Sequence, residues 1–319
     1  MLDAALLNRI GRLRLVARHI RAGQMQGERR STKRGTSVEF ADYRDYARGD
    51  DLRRVDWNIY ARLERPFVKL FEDEEDLAVH LLLDGSSSMD WGGDGEARGH
   101  GDTETRGSDD GEVRRKGSSK WEYARRMAAA LGYIALASGD RLSVAMLQCP
   151  MPNAQCSMST LKLRGKGQTL RLFDWLSGLQ AAGTTDLNAS LRAYALAGGR
   201  AGLVLLISDL FSPTGCTEGL TALAARGHET VVLHLLTPDE VDPPLSGDLR
   251  LVDVETGEPQ DVTVDGGVRA LYRRRLEAWQ DELRAICRTR NARYLPVTTD
   301  APLDRLVLHD LRRSGVVRG

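Results

Sequence analysis

Two aliphatic runs, each ending in an aspartate, shape the reading of this chain. Leu77-Ala78-Val79-His80-Leu81-Leu82-Leu83 leads into Asp84-Gly85-Ser86-Ser87-Ser88-Met89, and Leu203-Val204-Leu205-Leu206-Ile207-Ser208 ends at Asp209. A short continuous apolar run bounded by turn residues predicts a strand covered on both faces. Such strands belong to parallel α/β sheets, whose ligands bind outside the carboxyl ends of the strands. Asp84 is therefore expected at that edge, with Ser86 and Ser88 on the loop just beyond it. The D-x-S-x-S spacing offers three hard oxygens from one tight loop, the donor type that Mg²⁺ takes. A polar strand-to-helix loop with a capping serine is the other account of this pentad.

A third stretch, Gly183-Thr184-Thr185-Asp186-Leu187, places a hydroxyl in a glycine-led loop before an expected helix. With these three pieces the sequence resembles the von Willebrand factor A-like domain. The metal-ion-dependent adhesion site of that family combines D-x-S-x-S, a distant threonine and an aspartate closing a later strand. Matched position by position, the resemblance implies a metal site of Asp84, Ser86, Ser88, Thr185 and Asp209. It implies Mg²⁺, or Mn²⁺ in its place, with one position open to a partner's carboxylate. Ser208 stands where that family often has threonine, and Leu210 where it often has glycine.

Upstream, Leu6, Ile10, Leu13, Val16 and Ile20 recur at helical spacing among Arg9, Arg12, Arg14, Arg18 and Arg21. This predicts an amphipathic helix over 4–22. We expect its apolar stripe to dock on the body of the protein; peripheral contact with an anionic membrane or an acidic partner is the alternative. Residues 23–36 read as a polar loop. The next segment, from Val38 to Trp57 with Ala61-Arg62 after it, interleaves Arg, Asp, Tyr and Trp, with Gly49-Asp50 as a turn signal. Glu39, Phe40, Arg44, Tyr46, Gly49, Asp50, Asp51, Arg53, Asp56, Trp57 and Arg62 resemble the signature of domain-of-unknown-function family 58. Members of that family carry the signature directly ahead of a von Willebrand A-like domain. The resemblance implies a partner class, the MoxR-type AAA+ ATPases, and a role as adaptor or co-chaperone toward a client protein. Many members have transmembrane segments, but this chain has no apolar run near the ~20 residues needed to span a bilayer.

From Lys120 onward strands and helices alternate, as a parallel α/β protein requires. The expected architecture is a doubly wound, mostly parallel sheet with an N-terminal extension. Residues 1–76 are read as the extension and signature segment, and 77–319 as the von Willebrand A-like domain. Residues 90–119 are rich in Gly, Asp, Arg, Ser and Thr, and nearly devoid of aliphatic side chains. Such a segment cannot bury enough surface to offset its ordering entropy, so we read it as a disordered, tolerated insertion rather than a gate. The final expected elements are a helix over 268–290, a strand over 293–297 and a helix over 302–313.

The remaining features narrow the function by exclusion. A D-x-D phosphatase needs an aspartate where Ser86 stands, and no G-x-S-x-G elbow is present. Arg164-Gly165-Lys166-Gly167-Gln168-Thr169 lacks the spacing of a phosphate-binding loop. The 319 residues carry 45 basic and 45 acidic side chains, so overall charge does not point to nucleic acid. Four cysteines form no C-x-x-C pair, and the N-terminus lacks the apolar core of a signal peptide. A reduced cytoplasmic protein is the simplest expectation. No nucleophile–base pair is apparent, so we expect no enzyme; a metal-dependent binding protein is expected, with a scaffolding protein holding a purely structural metal as the alternative.

Overall fold

The computed structural model describes residues 2–18, 39–47, 55–72, 76–92, 119–148, 157–252 and 259–319. The reading of 90–119 as an insertion, the 23–36 loop and the Gly49-Asp50 turn with Asp51 and Arg53 lie wholly or mostly outside them. The chain divides into two compact units, one of Met1–Ile20 with Leu77–Gly319 and one of Arg21–Asp76. The first twenty residues of the expected N-terminal extension thus belong with the larger unit.

The chain opens with α1 (Ala4–Ile10), capped by the Asp3 carboxylate on the Leu6 amide, and β1 (Arg14–Leu15). The helix expected over 4–22 ends here at Gly11. Glycine costs a helix about 1 kcal/mol relative to alanine. Beyond it the chain extends, so that Leu13 and Leu15 reach the core and β1 pairs antiparallel with the C-terminal strand.

The smaller unit contains β2 (Glu39–Asp45), α2 (Trp57–Leu63) and β3 (Phe67–Glu72), with β2 and β3 antiparallel. Asp56, one of the signature residues, caps α2 by accepting from the amides of Asn58 at 2.9 Å and Ile59 at 3.3 Å. A carboxylate at a helix N-terminus satisfies orphan amides and favours the helix dipole. Trp57 meets Tyr60 edge to face one turn later on the same helix.

The larger unit continues with β4 (Ala78–Asp84), α3 (Lys120–Ala137), β5 (Arg141–Gln148), β6 (Ser157–Arg164) and α4 (Thr169–Ser177). Then follow α5 (Leu187–Leu196), β7 (Leu203–Ser208), α6 (Thr217–Ala225), β8 (Glu229–Leu236) and α7 (Pro238–Val241). A hairpin of β9 (Gly247–Val252) and β10 (Pro259–Val264) precedes α8 (Gly266–Arg288) and β11 (Ala292–Thr298). A helical run over 303–313, with a π-helical middle at Leu306–Asp310, leads to β12 (Val317–Arg318).

Six strands form the central sheet in the order β11-β8-β7-β4-β5-β6, all parallel except β6, which runs antiparallel to β5. Every residue of β4, β7 and β8 is buried, as continuous apolar runs predict for central strands. One face is covered by α1, α3, α4 and the 303–313 run, the other by α5, α6 and α8. The alternation is visible within β4, where Val79, Leu81 and Leu83 join the first cluster and Leu82 the second. This is the doubly wound, mostly parallel architecture expected from the sequence.

Candidate functional site at the carboxyl edge of the sheet

The β4 and β7 strands are hydrogen-bonded neighbours, with Leu83 opposite Ile207. Their register carries Asp84 and Asp209 to the same edge of the sheet. Asp84 is buried and its two oxygens have different partners. Oδ1 accepts from the Ser86 amide at 3.1 Å, and Oδ2 accepts from the Ser208 hydroxyl at 2.6 Å. The Ser208 hydroxyl in turn accepts from the Leu210 amide at 2.9 Å. The Ser208 hydroxyl therefore joins the two strand ends directly. Leu210 sits at φ 59°, in the left-handed region. Leucine costs about 1–2 kcal/mol in that conformation, which glycine adopts without strain.

The loop after β4 is stitched to the loop that carries Thr185. The Ser87 amide donates to the Gly183 carbonyl at 2.7 Å, and the Ala182 amide to the Gly85 carbonyl at 2.8 Å. Gly183 has φ 72°, a turn that glycine adopts without strain. The Leu147 carbonyl at the end of β5 accepts from the Gly85 amide at 3.0 Å and from the Thr185 hydroxyl at 3.5 Å. The backbone thus gathers Asp84, Ser86, Ser88, Thr185 and Asp209 at one place. All but the half-buried Ser88 are almost wholly withdrawn from solvent.

The donor chemistry of this cluster suits a small hard cation. Ser86 Oγ and Ser88 Oγ are hydrogen-bonded to one another at 3.0 Å, a separation that a shared small cation would also accept. Two oxygens on one edge of an octahedron around Mg²⁺ lie about 3.0 Å apart when each is about 2.1 Å from the ion. Two carboxylates and three hydroxyls contain no soft donor, which matches Mg²⁺ or Mn²⁺ rather than Zn²⁺ or Cu²⁺. Among the described residues no group of three or more His, Cys, Asp or Glu side chains is arranged to hold a metal. A cation at this edge would therefore depend on the hydroxyls. Burial, reinforced by the charge of Asp209, pushes the Asp84 carboxyl up to about 6. A buried carboxyl whose proton affinity is raised by a neighbouring negative charge marks a place where positive charge is favourable.

Sequence reasoning overlooked two members of this site, Lys120 and Glu240. Lys120 opens α3 and is fully buried, with Nζ 2.8 Å from Asp209 Oδ2 and 2.5 Å from Glu240 Oε1. Glu240 lies on α7, and its other oxygen accepts from the Thr237 amide at 2.8 Å in a capping box. One signal was available. A lysine in the first turn of a helix opposes the helix dipole, so Lys120 gains nothing from its own helix.

Nearby, the ring of Phe211 lies 5.0 Å from the Lys120 ammonium and stacks on Trp279. Phe211 and Trp91 are both exposed near the ends of these loops. Trp91 also marks where the chain leaves the site, since its carbonyl accepts from the Lys120 amide at 3.0 Å.

Among the described residues no helix is long and apolar enough to cross a membrane. A protein of Mycobacterium bovis is 26% identical to this chain over 327 residues, covering 99% of this chain and 93% of its own length. A Mycobacterium avium protein is 31% identical over 138 residues, covering 42% of this chain and 80% of its own. Among solved structures, BatB from Bacteroides thetaiotaomicron covers 75% of this chain and 98% of its own, at 12% identity and a TM-score of 0.41. The model of the family described as protein of unknown function DUF58 matches residues 42–101 and 104–282, and the chain belongs to that family.

Proposed function

We propose that this chain is a metal-dependent protein-binding adaptor or co-chaperone and not an enzyme. Its partner class is a MoxR-type AAA+ ATPase together with a client protein, as the resemblance to the family implies. Asp84, Ser86, Ser88, Thr185 and Asp209 would hold Mg²⁺, or Mn²⁺ in its place. The bound ion supplies a coordination position that takes an anionic oxygen from a partner. The chain's own part is to hold the donors rigid. Ser208 fixes Asp84, the Leu147 carbonyl fixes the Thr185 loop, and the paired loops fix the two serines. Exposed Phe211 and Trp91 offer apolar area beside the ion, of the kind that anchors interfaces. The reading rests on one observation above all, that adjacent parallel strands bring two distant aspartates to the same edge as a hydrogen-bonded pair of hydroxyls.

The test is metal-dependent stability followed by partner binding. A ligand that binds only the folded state at a hundredfold excess over Kd adds about 2.7 kcal/mol of stability. Wild type should gain this with Mg²⁺, and a Ser86→Ala, Ser88→Ala double variant should lose it without a change in net charge. A purified MoxR-type AAA+ ATPase should co-elute with wild type in Mg²⁺ and separate from it in EDTA. Equal responses to Mg²⁺ in the two proteins would rule out the site. A second reading, a purely structural metal in a scaffolding protein, draws on the internal partners that Asp84 and Asp209 already have. It expects the Mg²⁺ increment in stability but ATPase binding that ignores EDTA.

A further inference from the structure

Lys120 has no role in the function proposed above, yet its placement is costly. An ammonium withdrawn from water costs several kcal/mol unless ion pairs and hydrogen bonds compensate it. Its position at the start of α3 adds an unfavourable dipole. The return is specific. Its Nζ bridges Asp209 Oδ2 at 2.8 Å and Glu240 Oε1 at 2.5 Å, both from other elements. Neither carboxylate is free to swing away, because Asp209 Oδ1 accepts from the Phe211 amide at 3.2 Å and Glu240 Oε2 from the Thr237 amide at 2.8 Å.

The charge balance follows from these contacts. The ammonium contacts two carboxylates, and Asp84 stands beside Asp209; with all three ionised the cluster holds three negative charges and one positive, and a divalent cation brings it to neutrality. Without Lys120 the loaded cluster would keep a net negative charge and repel a partner's carboxylate. With Lys120 the ion is bound less tightly, because an ammonium already shares Asp209. The loaded site then accepts an anion without that repulsion.

We propose that Lys120 is the residue that makes the site selective for an anionic partner group, by coupling capture of the metal to capture of a carboxylate. This rests on the metal-binding reading above. Binding energies linked in this way are reciprocal, so a carboxylate must tighten the ion's binding by the same factor that the ion tightens the carboxylate's.

The experiment is calorimetric titration of Mg²⁺ into wild type, Lys120→Met, Glu240→Gln and the double variant. Each is measured in a carboxylate-free buffer and again in acetate, corrected for the weak pairing of acetate with Mg²⁺ in solution. Lys120→Met should bind Mg²⁺ about tenfold more tightly or better, the scale of one unit charge removed from a partly screened site. Its acetate dependence should vanish. Glu240→Gln should shift the Mg²⁺ affinity the opposite way and keep the acetate dependence. The double variant, which restores the net charge, should return close to wild type. If Lys120→Met does not fold, Glu240→Gln and the double variant decide the matter by the same signs. An Mg²⁺ affinity in the folded single variants within twofold of wild type, with unchanged acetate dependence, overturns the role of Lys120 and leaves the metal site standing. Absence of Mg²⁺ binding in wild type overturns both.

Discussion

His80 and Asp84 lie four residues apart on one buried strand, and burial moves their proton affinities in opposite directions. Burial, with the charge of His228 behind it, lowers the His80 imidazole to about 4. The Arg200 carbonyl, 3.1 Å from Nε2, can only accept, so the ring is the Nε2–H tautomer and Tyr194 donates to Nδ1 at 2.7 Å. Lys162 adds a further unfavourable charge, and His228 is itself lowered by burial. His234, near the carboxyl edge, is lowered to about 4, again by burial first. Unfolded histidines take a proton near 6.5, so between about 6.5 and 4 the unfolded chain binds more protons than folded His80 and His234, and lowered His228 acts in the same direction. Stability therefore falls as pH falls through that window. Asp84 acts in the opposite sense. Its raised affinity stabilises the metal-free fold at low pH, and that contribution is lost as pH rises through about 6. Three histidines outweigh one carboxyl. In EDTA, the unfolding free energy from urea titrations should rise between pH 5 and 7. His80→Gln should reduce the slope by up to one proton, about 1.4 kcal/mol per pH unit. An unchanged slope in that variant would mean His80 is protonated in the fold.

At the scale of elements, the sheet was legible because each central strand is a continuous aliphatic run. The edge of the site was legible because two of those runs end in aspartate. The direction of β6 was not, since an antiparallel edge strand has the same local pattern as a parallel one. Nor were Lys120 and Glu240, which stand 120 positions apart and meet only when α3 and α7 approach one edge. The first helix was overextended because Leu13 and Val16 keep the helical period of Leu6 and Ile10 although Gly11 has already ended the helix. The entry of α3 also makes the long connection after β4 testable. The Trp91 carbonyl and the Lys120 amide are 3.0 Å apart, so the chain leaves and returns at one point. A short Gly/Ser linker can therefore span the ends. Replacing residues 93–118 with about six such residues shortens the loop by roughly two doublings and should stabilise the fold by about 1 kcal/mol. Cooperative unfolding with an equal or higher midpoint in urea is the expected result. Loss of cooperativity would show that the replaced segment contributes to the core.

For the molecule as a whole, the question is whether the first residues are an appendage or a part of the larger unit. The structure places Ile10 at 0% exposure and buries Leu6, Leu13 and Leu15 in the cluster that α3 and the 303–313 run share. Backbone bonds tie the same segment to the C-terminus, as β1 pairs with β12 and the Val16 amide donates to the Val316 carbonyl at 2.9 Å. The Arg18 amide continues the tie by donating to the Glu229 carboxylate at 2.6 Å, a group that also pairs with Arg293. Leu6, Ile10, Leu13 and Leu15 are thus packed in the core and withdrawn from any membrane surface, whereas Ile20 lies outside the described residues. By contrast, the Arg9–Asp304 pair is exposed at both partners, and such pairs contribute little. Removing the Ile10 side chain beyond Cβ leaves a cavity in a packed interior, for which losses of about 2–5 kcal/mol are usual. Ile10→Ala should lower the unfolding free energy by that amount and the urea midpoint of the whole transition with it, while Arg9→Gln should stay within about 0.5 kcal/mol of wild type. Both measurements are made on the full chain, with m-values compared to establish that one cooperative unit is unfolding. If Ile10→Ala leaves the midpoint in place, the N-terminal segment adds nothing to the fold, and its arginines are again available to an acidic partner or an anionic surface.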